Sequence, residues 1–94
     1  MPRIRLAGFI IVPERDREAV QAALPEHIRL TREEPGCISF RVTPDEADPM
    51  RYEVAEEFAT REAFELHQAR AASSEWGAVT GDIDRHYEIT ELPS

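Results

Sequence analysis

Two side chains able to carry proton-transfer chemistry, His67 and Glu56, fall on neighbouring predicted elements. His67 shares a helical face with Phe64, three residues earlier. Glu56 belongs to an alternating strand pattern in which Val54 and Phe58 point the same way. Histidine exchanges protons near neutral pH, and a carboxyl group among apolar side chains has a raised pKa unless it is paired. Both residues are therefore candidates for catalytic acid–base chemistry.

Each candidate also has a purely structural interpretation. His67 can be a partly buried histidine with one satisfied hydrogen bond. Glu56 can be the acidic half of an ion pair with Arg41 or Arg85, which is the common arrangement for a buried charge. Both interpretations stay open, because only the positions of these side chains in the fold decide between them.

Five aromatic side chains are candidates for the wall of a substrate pocket between sheet and helices. They are Trp76, Phe58, Tyr52, Phe64 and Phe40. Flat apolar rings favour stacked or edge contacts with a flat ligand, so such a pocket would suit a small aromatic substrate. The alternative is that the five rings belong to the hydrophobic core.

The rest of the chain supplies the elements that must position these residues. The predicted order is strand 3–12, a helix ending before Pro35, strands 37–42 and 50–58, helix 61–72 capped by Thr60, a short turn around Trp76, and strand 83–92. This β-α-β-β-α-β order predicts one α+β domain over residues 1–94, with a ferredoxin-like, antiparallel four-stranded sheet. Pro25 is expected to kink or split the first helix.

The first strand carries large apolar residues on both of its faces. Ile4, Leu6 and Ile10 point one way, whereas Phe9 and Ile11 point the other way. Two helices cover only one face of such a sheet, so the second face would be an exposed apolar patch. We therefore predict a homodimer through the sheet face. The alternative is that Phe9 and Ile11 are partly exposed residues near a strand end.

Composition narrows the range of partners. The 19 acidic residues outnumber 11 basic residues, all of them arginine, and the net charge of −8 argues against a nucleic-acid partner. We expect no membrane contact and a cytoplasmic location, because no long apolar run or signal-peptide pattern is visible. Cys37 is the single cysteine and the three histidines are scattered, so we expect neither an internal disulfide nor a metal site.

Three segments together resemble the antibiotic biosynthesis monooxygenase family. They are REEPGCISF at 32–40, YEVAEEF at 52–58 and AFELH at 63–67. The resemblance extends from the first strand to the region of Trp76 and implies a dimeric α+β barrel. It also matches His67 to the family's helix histidine and Glu56 to the family's strand glutamate.

For function, the resemblance implies a cofactor-independent monooxygenase that oxidises a small phenol or quinol with O2. Without a metal or flavin the substrate itself must donate the electron, so the protein would deprotonate the substrate and keep it dry. Two alternatives remain. One is a non-catalytic, small-ligand-binding or stress-associated domain. The other is a haem-degrading protein with His67 as axial ligand, although those relatives depend on an asparagine and this chain contains none.

Overall fold

The computed structural model describes residues 2–93. Its elements are β1 (Arg3–Ile11), α1 (Glu14–Arg32), β2 (Cys37–Pro44), β3 (Arg51–Phe58), α2 (Arg61–Ala72), α3 (Glu75–Thr80) and β4 (Asp84–Leu92). The turn expected around Trp76 is the short helix α3, and the other elements follow the predicted order. Within the described range, no helix combines the length and the apolar character needed to span a membrane.

The four strands form one sheet in the order β2-β3-β1-β4, and every neighbouring pair is antiparallel. The prediction of a ferredoxin-like α+β fold is therefore confirmed. Alternate residues of β1 and β3 join Val20 of α1 and Phe64 of α2 in one buried cluster, so the core lies between the sheet and the helices. The dimeric barrel concerns a second copy of the chain and stays a prediction.

Helix α1 runs without interruption from Glu14 to Arg32, so a split at Pro25 is wrong, and the alternative of a kink there stays a prediction. Pro25 removes one backbone donor, and the carbonyl group left without it belongs to Gln21. Both residues are exposed, so water can hydrate that carbonyl. The helix turns its most buried face towards the sheet through Val20, Ala23, His27 and Thr31.

The turn between α1 and β2 depends on Gly36. Its φ of +90° is one that residues with a side chain rarely adopt, and an added Cβ would lie 2.5 Å from the Cβ of Ala63. The carbonyl oxygen of Gly36 accepts a hydrogen bond of 2.8 Å from the amide of Ala59. Thr60 then caps α2 as predicted, accepting from the amide of Ala63 at 3.0 Å. The turn thus fixes the end of α1 against the beginning of α2.

The sheet face away from the helices is less apolar than the sequence suggests. Phe9 is only half-exposed, because its ring stacks on His86 at 4.6 Å and the guanidinium group of Arg51 lies 3.7 Å from its centroid. Phe9 is therefore not among the exposed large hydrophobic residues of the described chain, which are Ile38, Met50, Leu66, Tyr87 and Ile89. Groups of the same chain therefore cover much of Phe9.

We nevertheless propose that two copies pack through the centre of this face. Ala7 and Ala55 are paired in register beside Phe9, and these small side chains let a second sheet approach closely. Around them lie arginine and acidic side chains, including the Arg51–Glu53 pair at 2.6 Å. A surface that carries both signs of charge can be self-complementary about a two-fold axis.

Phe9→Glu should convert the dimer into a monomer, because it would place a carboxylate at the centre of the buried interface. Leu66→Glu is the matched control, since Leu66 is 64% exposed on α2. Size-exclusion chromatography with light scattering measures both masses. A monomeric wild-type protein, or a dimer that survives Phe9→Glu, would contradict the proposed interface.

Candidate active site

A cleft of about 290 Å³ opens between the helices and the sheet, where side chains of β3 and β4 line it. All three helices and two strands contribute to its lining. Its main chemical groups come from His27, Glu56, His67, Trp76, Arg85 and Tyr87. The structure therefore brings both sequence-predicted catalytic candidates, Glu56 and His67, into one cleft.

The carboxyl group of Glu56 enters the cleft from the buried face of β3. The side chain is 7% exposed, and its Oε1 has no hydrogen-bond partner in the described chain. Arg41 cannot reach it, because Arg41 pairs in register with Ala55 and so points to the opposite face. Arg85 instead donates to the carbonyl oxygen of Thr80 at 2.7 Å. The ion pair that the sequence allowed with either arginine is therefore not formed.

Burial controls the protonation of the two candidates. Loss of hydration, and then the negative charge of Glu34, raises the pKa of Glu56 to about 7. Burial lowers the pKa of His67, an effect that Glu34 partly offsets. The Nε2 atom of His67 lies 3.7 Å from Oε1 of Glu56, slightly beyond hydrogen-bond distance. Near neutral pH this contact sets an uncharged imidazole beside a partly protonated carboxyl group, so it is not a stable ion pair.

A chain of hydrogen bonds fixes the orientation of His67. Its Nδ1 lies 2.8 Å from Oε1 of Glu34, and the other oxygen of Glu34 accepts from Nε of Arg70. Arg70 also donates to Oγ1 of Thr31 at 2.9 Å, and that hydroxyl donates to the carbonyl oxygen of His27 at 2.7 Å. A carboxylate only accepts hydrogen bonds, so Nδ1 of His67 carries the proton. Nε2 is then left as an acceptor beside Glu56.

Only one of the five predicted wall residues lines the cleft. Trp76 stacks on His27 with a centroid distance of 4.6 Å and an interplanar angle of 5°. The rings of Phe58 and Phe40 instead pack against the imidazole of His67, at 4.9 and 5.7 Å. The four that lie in the core are Phe40, Tyr52, Phe58 and Phe64. The prediction of an aromatic wall is therefore corrected: Trp76 lines the cleft, whereas rings of the core pack against the imidazole of His67.

Sequence reasoning missed four polar residues of the site, His27, Glu34, Arg70 and Tyr87. Arg70 follows His67 by three residues and so shares its helical face, which is a signal that the sequence contained. Glu34 lies in the segment that carried the family resemblance, but its contact with His67 spans 33 positions. Tyr87 lines the cleft and supplies a phenolic hydroxyl group.

Glu56→Gln should change how the stability of the fold depends on pH. An acid whose pKa rises from 4.5 to about 7 on folding destabilises the folded state as pH rises through that interval, and the full effect is about 3 kcal/mol. The free energy of unfolding of the variant should therefore match the wild type near pH 4.5 and exceed it progressively towards pH 8. Urea denaturation across this range measures the difference.

Glu57→Gln is the matched control for this comparison. Glu57 is the next residue, on the opposite face of β3, where it accepts from Arg3 at 2.7 Å. In all three proteins the free energy of unfolding falls towards acid pH, because the buried histidines take up protons on unfolding. The difference between the proteins therefore isolates the carboxyl group of Glu56. A constant difference between wild type and Glu56→Gln from pH 5 to 8 would show that Glu56 is not desolvated.

The comparisons with known proteins agree with this architecture. The family model described as "Antibiotic biosynthesis monooxygenase" matches residues 3–79. None of the curated proteins matches the chain. Among solved structures, a conserved Bacteroides thetaiotaomicron protein of unknown function aligns with a TM-score of 0.81 and 24% identity, over 97% of this chain and 98% of that one.

Two further structures extend the same likeness. A Shewanella oneidensis protein aligns at 26% identity with a TM-score of 0.77, over 97% of this chain and 91% of that one. A candidate antibiotic biosynthesis monooxygenase from Deinococcus radiodurans aligns at 18% identity with a TM-score of 0.81, over 97% of this chain and 93% of that one. At these identities the structures establish the shared fold, and the family model covers most of the chain. The protein belongs to the antibiotic biosynthesis monooxygenase family.

Proposed function

We propose that this protein is a cofactor-independent monooxygenase that oxidises a small phenol or quinol with O2, and that Glu56 and His67 together accept the substrate's proton. The main support for this proposal is the environment of Glu56. Glu56 is a buried carboxyl group in a cleft, and its Oε1 has no partner. Its pKa of about 7 is the value at which a carboxylate serves as base near neutral pH.

The proton step uses the arrangement of four residues. A phenol in the cleft donates its O–H proton to Glu56 or to Nε2 of His67, which lie 3.7 Å apart. Glu34, 2.8 Å from Nδ1, stabilises the imidazolium form when His67 holds the proton. Arg70 anchors Glu34 in turn. The result is an electron-rich phenolate held away from bulk water.

The oxygen step needs no electrons from the protein. The phenolate passes one electron to O2, and the resulting superoxide combines with the aryloxyl radical at a ring carbon to form a C–O bond. The peroxide takes back the proton held by Glu56 or His67, the ring carbon then loses its hydrogen as a proton, and the O–O bond breaks to release hydroxide, which that proton converts to water. A phenol plus O2 thus gives a quinone plus water, and a quinol plus O2 gives a hydroxyquinone plus water. One oxygen atom enters the product.

The shape of the cleft favours a flat and small substrate. The rings of Trp76 and His27 stack on each other and both line the cleft with the acid–base pair, and flat rings favour contacts with a flat ligand. The volume of about 290 Å³ is near the lower end of the range for small-molecule sites, which begins at about 300 Å³. These features support an aromatic compound of one or two rings as the substrate.

Oxygen consumption by purified, metal-free protein with a panel of quinols and anthrone-like phenols tests the proposal. Wild type should consume O2 above the spontaneous rate and place one ¹⁸O atom from ¹⁸O2 in the product. Glu56→Gln and His67→Ala should each lower kcat by about 100-fold or more, because general-base catalysis contributes at least that much. His86→Ala should be unaffected, since His86 stacks on Phe9 on the opposite sheet face.

Two outcomes would contradict this function. If no substrate in the panel is consumed faster than spontaneously, the alternative of a non-catalytic ligand-binding domain is favoured. If O2 is consumed but the product carries no ¹⁸O and hydrogen peroxide accumulates, the protein is an oxidase and the C–O bond-forming step is wrong.

A further inference from the structure

Strand β4 carries two large apolar side chains that remain exposed, Tyr87 and Ile89. Both point to the helix side of the sheet, because Ile89 pairs in register with the buried Leu6 and Tyr87 pairs with Gly8, two positions further along β1. The helices pack over β1, β2 and β3 and leave β4 largely uncovered. Tyr87 and Ile89, here called the β4 strip, therefore form an open apolar surface on the side of the sheet that holds the core.

The β4 strip is continuous with the main cleft. Tyr87 lines the cleft, and Ile89 is the next residue on the same face of β4, about 7 Å further along the strand. Across the sheet, Gly8 lies between Val54 and Tyr87 in register and has no side chain to fill the space between them. A substituent of a ligand bound in the cleft can therefore run along Tyr87 to Ile89.

Polar contacts to the helices bound the β4 strip at both ends. Arg85 precedes the strip on the same face and donates to the carbonyl oxygen of Thr80, at the end of α3, at 2.7 Å. Glu91 follows the strip on this face and accepts from Nη2 of Arg61, in the first turn of α2, at 2.7 Å. Each end of the strip is thus joined to a helix, whereas its middle is apolar and open.

The size of the β4 strip favours a small ligand over a protein partner. A stable protein interface removes about 800 Å² of surface from each partner, several times what two partly exposed side chains offer. A hydrocarbon chain needs no larger surface, because each methylene group that leaves water contributes on its own. The strip therefore suits an apolar substituent of whatever ligand occupies the cleft.

We propose that the β4 strip is a subsite of the main cleft that binds an alkyl substituent of the substrate. The inference rests on the proposed function for the aromatic ring, which lies in the cleft beside Glu56 and His67. The cleft of about 290 Å³ accommodates the ring, and the strip receives the chain. The substrate class is thus a phenol or quinol that carries an apolar chain of a few carbons, and Ile89 is a specificity-determining residue for that chain.

Binding of 4-alkylphenols from methyl to hexyl, measured by calorimetry, tests the subsite without turnover. In wild type, Kd should fall about twofold with each added methylene, because the chain keeps one side in water and full burial would give about fourfold. Ile89→Asp should reduce the gain to less than about 1.3-fold per methylene, since a carboxylate in the strip retains its water. Ile38→Asp is the matched control and should retain the twofold gain. Ile38 is 51% exposed and Ile89 is 50% exposed, and they lie on the opposite outer strands of the sheet.

A second measurement requires no variant and so does not depend on whether Ile89→Asp folds. In wild type with bound 4-hexylphenol, intermolecular NOEs should connect the terminal methyl group of the ligand to the methyl groups of Ile89. Affinity that does not depend on chain length, a gain that persists in Ile89→Asp, or NOEs from the chain to other residues alone would each overturn the proposal. Conversion of a dimer into a monomer by Ile89→Asp would also overturn it, because a second copy would then cover the strip.

These results are distinguishable from those of the proposed function, because the binding of the alkylphenols is measured without oxidation. A chain-length gain that depends on Ile89, combined with no O2 uptake by any quinol, would leave the subsite intact and remove the monooxygenase activity. O2 uptake that depends on Glu56, combined with no chain-length gain, would do the reverse.

Discussion

The carboxyl group of Glu56 lies on the apolar face of β3, in register with Leu6 and Phe40, and no arginine of the described chain pairs with it. Removing a carboxylate from water is costly unless a charge or several hydrogen bonds compensate, so the group responds by holding its proton up to about pH 7. The rest of the site depends on this constraint. The cleft keeps the group from bulk water, and the neighbouring imidazole faces it without neutralising it.

The arginine of the hydrogen-bond network around His67 pairs with Glu34 and not with Glu56. Arg70 binds Glu34 and Thr31, and Glu34 binds Nδ1 of His67, so the positive charge acts on the side of the imidazole remote from Glu56. Because Gly36 fixes the turn that carries Glu34 against α2, a backbone feature of the fold sets the tautomer of a side chain in the cleft. Fold and proton chemistry are linked through this one turn.

The sequence predicted the element order and the sheet, because alternation in β1 and β3 and helical spacing in α2 are local patterns. It also identified Glu56 and His67 as the candidate acid–base residues, but it did not show that they converge on one cleft. It did not show that Arg85 would be held by the carbonyl oxygen of Thr80, or that Phe58 would support His67 from the core. His27 was missed because its role depends on a stack with Trp76, which is distant in sequence. Such long-range contacts have no local signature, so the pocket wall could only be guessed from residue type.

The proton-acceptor role of Glu56 is tested most directly by titrating its carboxyl group, with ¹³C NMR of the side-chain carboxyl carbon as the readout, in protein without ligand. We predict a midpoint near pH 7, well above the ordinary value of 4.5, because burial without a counter-charge favours the protonated form. A midpoint near the ordinary value of 4.5 would mean that Glu56 is hydrated or paired in solution, and would contradict its role as the proton acceptor of the cleft.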